Sequence, residues 1–286
     1  MSRTNRNEIK GHLPKLKTAL PAFRMVGHGG TDVGLRREAN EDSYLMLAKN
    51  HLWIVADGMG GHAGGQFAST LTVQHVGCNV LRKTHQQEIE QRQGYGRVIP
   101  EQILEHSIRQ TCSAVFQEAL ARPGLSGMGS TVTVMWAYGD SAYFGQVGDS
   151  RAYLYRNSRL SQITEDHSLV QEQLSAGLIT EEQAKFSMVR NIITRSIGFE
   201  NSVEVDIFRV PLQIGDHFLL CSDGLTGLVD DDEIQDIVTS TPRHKVPSTL
   251  IELANARGGD DNTTVVFTAV TGGRRMRNKR KQVTGQ

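Results

Sequence analysis

Short apolar runs that stop on glycine and aspartate recur along this chain. SYLMLA (43–48) and LWIVA (52–56), separated by Lys49, Asn50 and His51, predict a β-hairpin. From Gln66 to about Arg82 the period becomes helical, with Phe67, Leu71, Cys78 and Leu81 on one stripe and His75 within it. Ile103 to Leu120 repeats that pattern through Ile108, Cys112 and Phe116. Alternation then returns in STVTVMWAY (130–138), SAYFGQVG (141–148) and RAYLYR (151–156), whose Gly-Asp and Gly-Asp-Ser junctions predict a tight antiparallel meander. VEVDIFRV (203–210), HFLLCS (217–222) and TTVVFTAV (263–270) are further strands, and helices are expected near 231–239 and 246–257. Strands in short-turn runs and helices in separate groups predict an α+β fold, antiparallel sheets covered by helices, in place of alternating βαβ units.

Composition adds limits. The 286 residues carry 31 Lys plus Arg against 31 Asp plus Glu, so whole-chain charge points to neither a nucleic-acid nor a membrane partner. The balance hides an asymmetry, because Arg274 to Lys281 reads RRMRNKRK and no acid follows Asp261. Residues 1–23 read as a polar, basic extension, 24–271 as one domain without repeat or linker, and 272–286 as a basic tail whose charges are solvated. Three dispersed cysteines, Cys78, Cys112 and Cys221, form no CxxC pair and suit a reducing compartment. No apolar run is long enough to span a bilayer, and the first residues lack the apolar core of a signal peptide, so a soluble cytoplasmic protein is expected.

The candidate chemistry lies where the strands stop. Asp57 follows WIVA, Asp149 follows FGQVG, Asp223 follows HFLLCS and Asp261 precedes NTTVVF, each with glycine within two positions. Taken singly, each is an ordinary turn or N-cap residue. Gathered at one rim, each pair of charges about 6 Å apart would repel by about 3 kcal/mol at an effective dielectric near 20, so the group must protonate or bind cations. Oxygen ligands without paired cysteines or histidines favour Mg²⁺ or Mn²⁺ over zinc. Gly58, lacking a Cβ, would let main chain approach such an ion beside Asp57. A phosphate would need a cationic clamp, and Arg37 in GLRREANEDSYL offers a planar fork for it, with Arg36 as rival. If 41–43 are extended, only one of Glu41 and Asp42 faces the ions directly.

These residues fall into ordered blocks: GLRREANEDS (34–43), VADGMGGHAGG (55–65), GMGSTVT (127–133), VGDSRAYLYR (147–156), ITEDHS (163–168), CSDGLT (221–226) and GGDDNTTVV (258–266). From Met25 to Val270 the chain resembles the metal-dependent PPM, or type 2C, serine/threonine protein phosphatases, in particular their bacterial branch. The resemblance implies a two-sheet β-sandwich flanked by helices, with two Mn²⁺ or Mg²⁺ ions at one end. It implies that Asp57 bridges both ions, that the Gly58 carbonyl completes one, that Asp223 and Asp261 hold the other and that Asp42 acts through water. It also implies a weaker third ion between Asp149 and Asp223, Arg37 on the substrate phosphate, and a flap over about 165–198. Where some members carry histidine two residues after the first aspartate, this chain has Met59, and its histidine is His62. That residue is open between a proton donor to the leaving oxygen and a structural histidine. His75 is expected to pack in its helix and His167 to serve structure.

The resemblance implies hydrolysis of phosphoserine and phosphothreonine by direct attack of metal-activated water, reversing a bacterial serine/threonine kinase and working as a monomer. No cysteine nucleophile is expected, since Cys221 lies inside an apolar strand. Two alternatives remain: a catalytically idle domain of this type used as a regulatory binding module, and a phosphatase of small phosphoesters. Every expected acid is present, which counts against the first.

Overall fold

The computed structural model describes residues 23–272 except 62, 186, 188 and 190. His62, nearly all of the N-terminal extension and all but the first residue of the basic tail therefore lie outside the described residues. The first half of the chain forms β1 (Phe23–Asp32), β2 (Ser43–Leu47), β3 (Leu52–Ala56), β4 (Gly58–Met59), α1 (Ala63–Arg92), α2 (Pro100–Ala121), β5 (Gly129–Ser130), β6 (Val132–Tyr138) and β7 (Ser141–Val147). The second half forms β8 (Arg151–Arg156), β9 (Arg159–Gln162), α3 (Leu169–Ser175), α4 (Glu181–Lys185), β10 (Asp206–Pro211), β11 (His217–Cys221), α5 (Asp223–Thr226), α6 (Asp231–Ser240), α7 (Val246–Ala256) and β12 (Thr263–Gly272).

Two five-stranded sheets result, ordered β1-β12-β11-β8-β9 and β10-β7-β6-β3-β2, with every pairing antiparallel. Side chains alternate between two buried environments. On β11, Phe218 and Leu220 enter the layer between the sheets with Trp53, Val55, Phe144 and Val266, while Leu219 and Cys221 face α6 and α7. On β3, Trp53 and Val55 point inward and Leu52, Ile54 and Ala56 point to α1 and α2. Central strands buried on both faces explain the nearly continuous apolar runs in the sequence. The layers therefore stack as helices, sheet, sheet, helices, the α+β sandwich expected.

Three expectations need correction. The meander is not one sheet: β6 and β7 pair together, but β8 joins β11 in the other sheet. The chain changes sheet across Gly148-Asp149-Ser150, where Gly148 adopts φ +100, a conformation open to glycine. The α1 stripe holds at Leu81, which is buried, and at Phe67 and Leu71, which pack against the core, but Cys78 and His75 are exposed and the buried face also takes in Ala68, Ser69, Thr72, Val73, Val76 and Val80. Small and β-branched residues widen that packed face beyond the larger apolar side chains the reading followed. Leu120, assigned to the stripe of the second helix, is likewise exposed. One strand has no counterpart in the sequence reading: β1, with Gly27, Gly29 and Gly30 and no alternation to read, pairs with β12 along ten residues.

Candidate metal centre

The acids named from the sequence sit at strand and helix ends: Asp42 before β2, Asp57 between β3 and β4, Asp149 in the crossover, Asp223 at the start of α5 and Asp261 before β12. The fold brings them to one rim. Asp57 feels the charges of Asp42, Asp223 and Asp149, and its side chain shares a hydrogen bond with Asp223. Asp42 feels Asp223 and Asp261. Arg37 closes the group, with Nη2 donating to Asp261 Oδ2 at 2.6 Å. Its rival Arg36 stands 3.9 Å from Asp260 on the open surface. Of the adjacent pair, Asp42 is buried against the rim and its Oδ2 accepts from Ser222 Oγ at 2.7 Å. Glu41 instead lies against Gly65 at the start of α1.

Neighbouring polar groups fix each acid. Thr131 accepts the Asp57 N–H at its Oγ1 (2.9 Å) and donates its own N–H to the Asp57 carbonyl (2.8 Å). The same Thr131 hydroxyl pairs with Ser150 Oγ at 2.8 Å, tying the end of β3 to the crossover. Gln146 donates to the carbonyls of Gly148 (2.8 Å) and Ser150 (2.7 Å), one on each side of Asp149. Asn262 donates to the carbonyls of Val33 and Ala39 and accepts the Glu41 N–H, pinning the loop that carries Arg37. None of these four functional neighbours was read from the sequence. Thr131, Gln146 and Asn262 lie in or beside the quoted blocks, yet Ser, Thr and Asn near strand ends read as turn chemistry.

The electrostatics of the rim are those of crowded, buried carboxyls. Burial, with Asp223 nearby, raises the Asp42 carboxyl to about 7 and the Asp149 carboxyl to about 8. Burial followed by the charges of Asp42, Asp223 and Asp149 holds Asp57 well above the usual carboxylate range. Asp223 is raised by burial and by Asp261. Asp42 Oδ1, Asp149 Oδ1 and Asp223 Oδ1 are buried without a hydrogen-bond partner among the described residues. Orphaned carboxylate oxygens are costly unless a cation or ordered water meets them. Gly58 supplies a close main-chain approach, since a Cβ there would run into the carbonyl oxygens of Gly65 and Glu41. Among the described residues no three His, Cys, Asp or Glu side chains close into a cage around a single point. The side chains gathered at the rim offer oxygen donors, the kind that Mg²⁺-like cations take.

The rim opens into a cleft of about 790 Å³ whose walls include Arg37, Asp149, Asp223 and Asp261 together with Ser168, Gln171 and Leu174. The segment expected to form a flap thus borders the acids, carrying α3 and α4. Cys221 lies inside β11 beneath them, and burial pushes its thiol up to about 12, away from any role as a nucleophile at neutral pH. His167 is buried and engaged by its neighbours, as a structural histidine would be.

The family described as Protein phosphatase 2C matches residues 34–255. Protein phosphatase PhpP of Streptococcus pneumoniae is 38% identical over 244 residues, covering 84% of this chain and 95% of the relative. Serine/threonine phosphatase stp of Listeria welshimeri is 37% identical over 241 residues, covering 83% and 92%. Among solved structures, the serine/threonine phosphatase PstP/Ppp of Mycobacterium tuberculosis superposes with a TM-score of 0.77 at 33% identity, covering 86% of this chain and 99% of that one. The catalytic domain of PstP in complex with two manganese ions superposes with a TM-score of 0.73 at 33% identity, over 87% and 99%.

Proposed function

The chain belongs to the protein phosphatase 2C family, and on that premise we propose that its acidic rim binds Mn²⁺ or Mg²⁺, two ions with a weaker third, to hydrolyse phosphoserine and phosphothreonine in proteins. The observation that carries this reading is the set of orphaned, proton-hungry carboxylates on the rim beside Arg37. On this reading Asp57 and the Gly58 carbonyl hold the ions together with Asp223 and Asp261, Asp42 acts through water, and Asp149 joins Asp223 at the third. Bound divalent cations supply Lewis acidity for displacement at phosphorus and neutralise charge on the phosphoryl oxygens.

The chain's own residues do the rest. Arg37 is held by one nitrogen to Asp261, leaving the remaining donors of its fork for phosphate oxygens. Ser222 holds the Asp42 carboxyl and favours its charged form, while Thr131 fixes the Asp57 backbone through its N–H. His62 is the candidate proton donor to the departing serine or threonine oxygen. Residues 24–271 form the catalytic unit, between an extension and a basic tail that are dispensable for turnover. The enzyme works as a cytoplasmic monomer opposing a serine/threonine kinase, a setting that suits three unpaired cysteines.

Phosphate release from a phosphothreonine peptide, with Mn²⁺, with chelator and in Asp57→Asn, tests the assignment. Turnover is expected in the first case only, with Asp57→Asn losing more than about a hundredfold, since groups that merely orient ligands already cost 10–100-fold. Unchanged turnover in chelator would end the reading. Faster release from a nucleotide than from the peptide would favour small phosphoesters, and Mn²⁺ uptake without turnover of either would favour a binding module.

A further inference from the structure

The cleft beside the rim is more acidic than the proposed ions require. Nine carboxylates and two guanidiniums line it. Asp149, Asp223 and Asp261 belong to the rim, and Arg151 neutralises Asp166 through two bonds, Nε to Oδ1 at 2.9 Å and Nη2 to Oδ2 at 2.7 Å. Five acids remain on the walls, and three of them, Asp230, Asp231 and Asp232, are consecutive where α6 begins.

Acids at a helix start have a simpler use, since they meet the positive end of the helix dipole. Here that need is already met: Asp230 and Glu233 close a capping box, and Arg257 holds Glu233. Asp231 and Asp232 are exposed and make no ion pair among the described residues. Asp231 is nevertheless fixed from below. Arg151 Nη1 donates to the hydroxyl of fully buried Tyr153 at 3.2 Å, and that hydroxyl donates to Asp231 Oδ1 at 3.0 Å. Donors running one way along this chain hold the carboxylate in place and leave Oδ2 to accept from a ligand.

The chemistry of that ligand follows from its surroundings. Asp149 Oδ1, on a side chain only 8% exposed, lines the same cleft without a hydrogen-bond partner among the described residues, so the cleft is built to receive a ligand quite apart from α6. A phosphorylated residue brings about two negative charges, which unpaired wall carboxylates repel unless the same ligand also carries cations. Half-buried Val170, Leu174 and Leu228 line the cleft as well, a surface suited to an aliphatic stem below a charged head. Lysine and arginine have that shape. Treated as a cube, a volume of about 790 Å³ is about 9 Å across, which an extended peptide crosses in about three residues.

We propose that Asp231, with Asp232 beside it, is a specificity-determining residue that takes a Lys or Arg side chain within about three residues of the phosphorylated one, so that the substrates are phosphoproteins modified in basic sequence. The inference rests on the reading of function above and names the class of substrate for it. Tyr153 is a positioning residue for Asp231.

Phosphothreonine peptides flanked by alanine, with arginine or leucine placed in turn at each nearby position on either side, test the assignment with the full chain and Mn²⁺. In the wild type, arginine at one position or more should raise kcat/KM about tenfold over alanine, the low end for a hydrogen bond to a charged group. The gain should fall on KM and shrink as salt is raised, and leucine at the same place should gain much less. Asp231→Asn keeps an acceptor for Tyr153 and loses the charge, so the ratio of arginine to alanine should drop to about twofold, the scale of an exposed pair with Asp232. Asp236→Asn, the same change at an exposed site of α6 outside the cleft, should keep the wild-type ratio. Tyr153→Phe should lower the ratio by about threefold through KM, the scale of one ordinary hydrogen bond, a split that general loss of structure would not produce.

An active wild type without arginine preference at any position overturns the proposal. So does leucine equal to arginine, a ratio untouched by Asp231→Asn, or an equal fall in Asp236→Asn. If Tyr153→Phe does not fold by circular dichroism, Asp231→Asn decides alone. A wild type that releases no phosphate from any of the peptides would instead defeat the reading of function, and this inference with it.

Discussion

At the scale of single residues, the site is organised by choices between neighbours that differ little in sequence. Arg37 and Arg36 are adjacent and identical in chemistry, yet one meets half-buried Asp261 at the rim and the other exposed Asp260. Because a guanidinium presents two parallel donors and an ammonium one compact charge, Arg37→Lys should not substitute. It is expected to raise KM for a phosphothreonine peptide by about 10–100-fold, the value of a charge-assisted hydrogen bond, with a smaller change in kcat. An unchanged KM would remove Arg37 from the phosphate. The acids themselves were legible, since aspartate beside glycine at a strand end is a visible pattern. Their supports were not: Ser222, Thr131 and Asn262 act through which atom they face, and one-dimensional spacing carries no such information.

Elements add a second level, at which main chain packs against main chain. Gly224, in the first turn of α5, lies so close to the loop before β12 that a Cβ would overlap the Asn262 carbonyl oxygen. The obstacle is backbone and cannot rotate aside. Gly224→Ala should therefore separate Asp223 from Asp261, destabilising the chain by about 3 kcal/mol and lowering Tm by about 10 °C for a domain of this size. Mn²⁺ binding in calorimetry should weaken in the same variant. A Tm and isotherm like those of the wild type would mean that the two acids do not depend on this contact. The elements show equally where sequence periodicity succeeds and fails. The strands at 52–56 and 151–156 are legible to the residue, because β-branched and aromatic runs bounded by turns have no competing reading. Part of the packed face of α1 was hidden by its small residues, Ala68, Ser69 and Thr72, and the pairing of β8 with β11 depends on a turn at Gly148 that looks like any hairpin.

For the whole molecule, the rim links folding to pH, and the proposed function adds metal to the same equilibrium. Asp42 and Asp149 are raised to about 7 and 8, and Asp57 and Asp223 are raised in the same direction, all from 3.8. In the metal-free chain the folded state thus holds protons that the unfolded state has released. Stability is fully present below the unfolded value and is lost as pH rises through the folded ones. Buried histidines act with the opposite sign: burial lowers His51 and His217, so their contribution improves as pH rises toward 6.5 and is complete beyond it. The window from pH 6.5 to 8.5 therefore isolates the acids. Without metal, Tm should fall across it by about 3–6 °C, since one pKa unit corresponds to about 1.4 kcal/mol and each kcal/mol to about 2–4 °C. With saturating Mn²⁺ the cations replace the protons, so the fall should flatten or reverse, because binding to ionised carboxylates strengthens as they deprotonate. A metal-free Tm that rises through this window, or a fall that Mn²⁺ leaves untouched, would mean that the carboxylates are not gathered where the fold puts them.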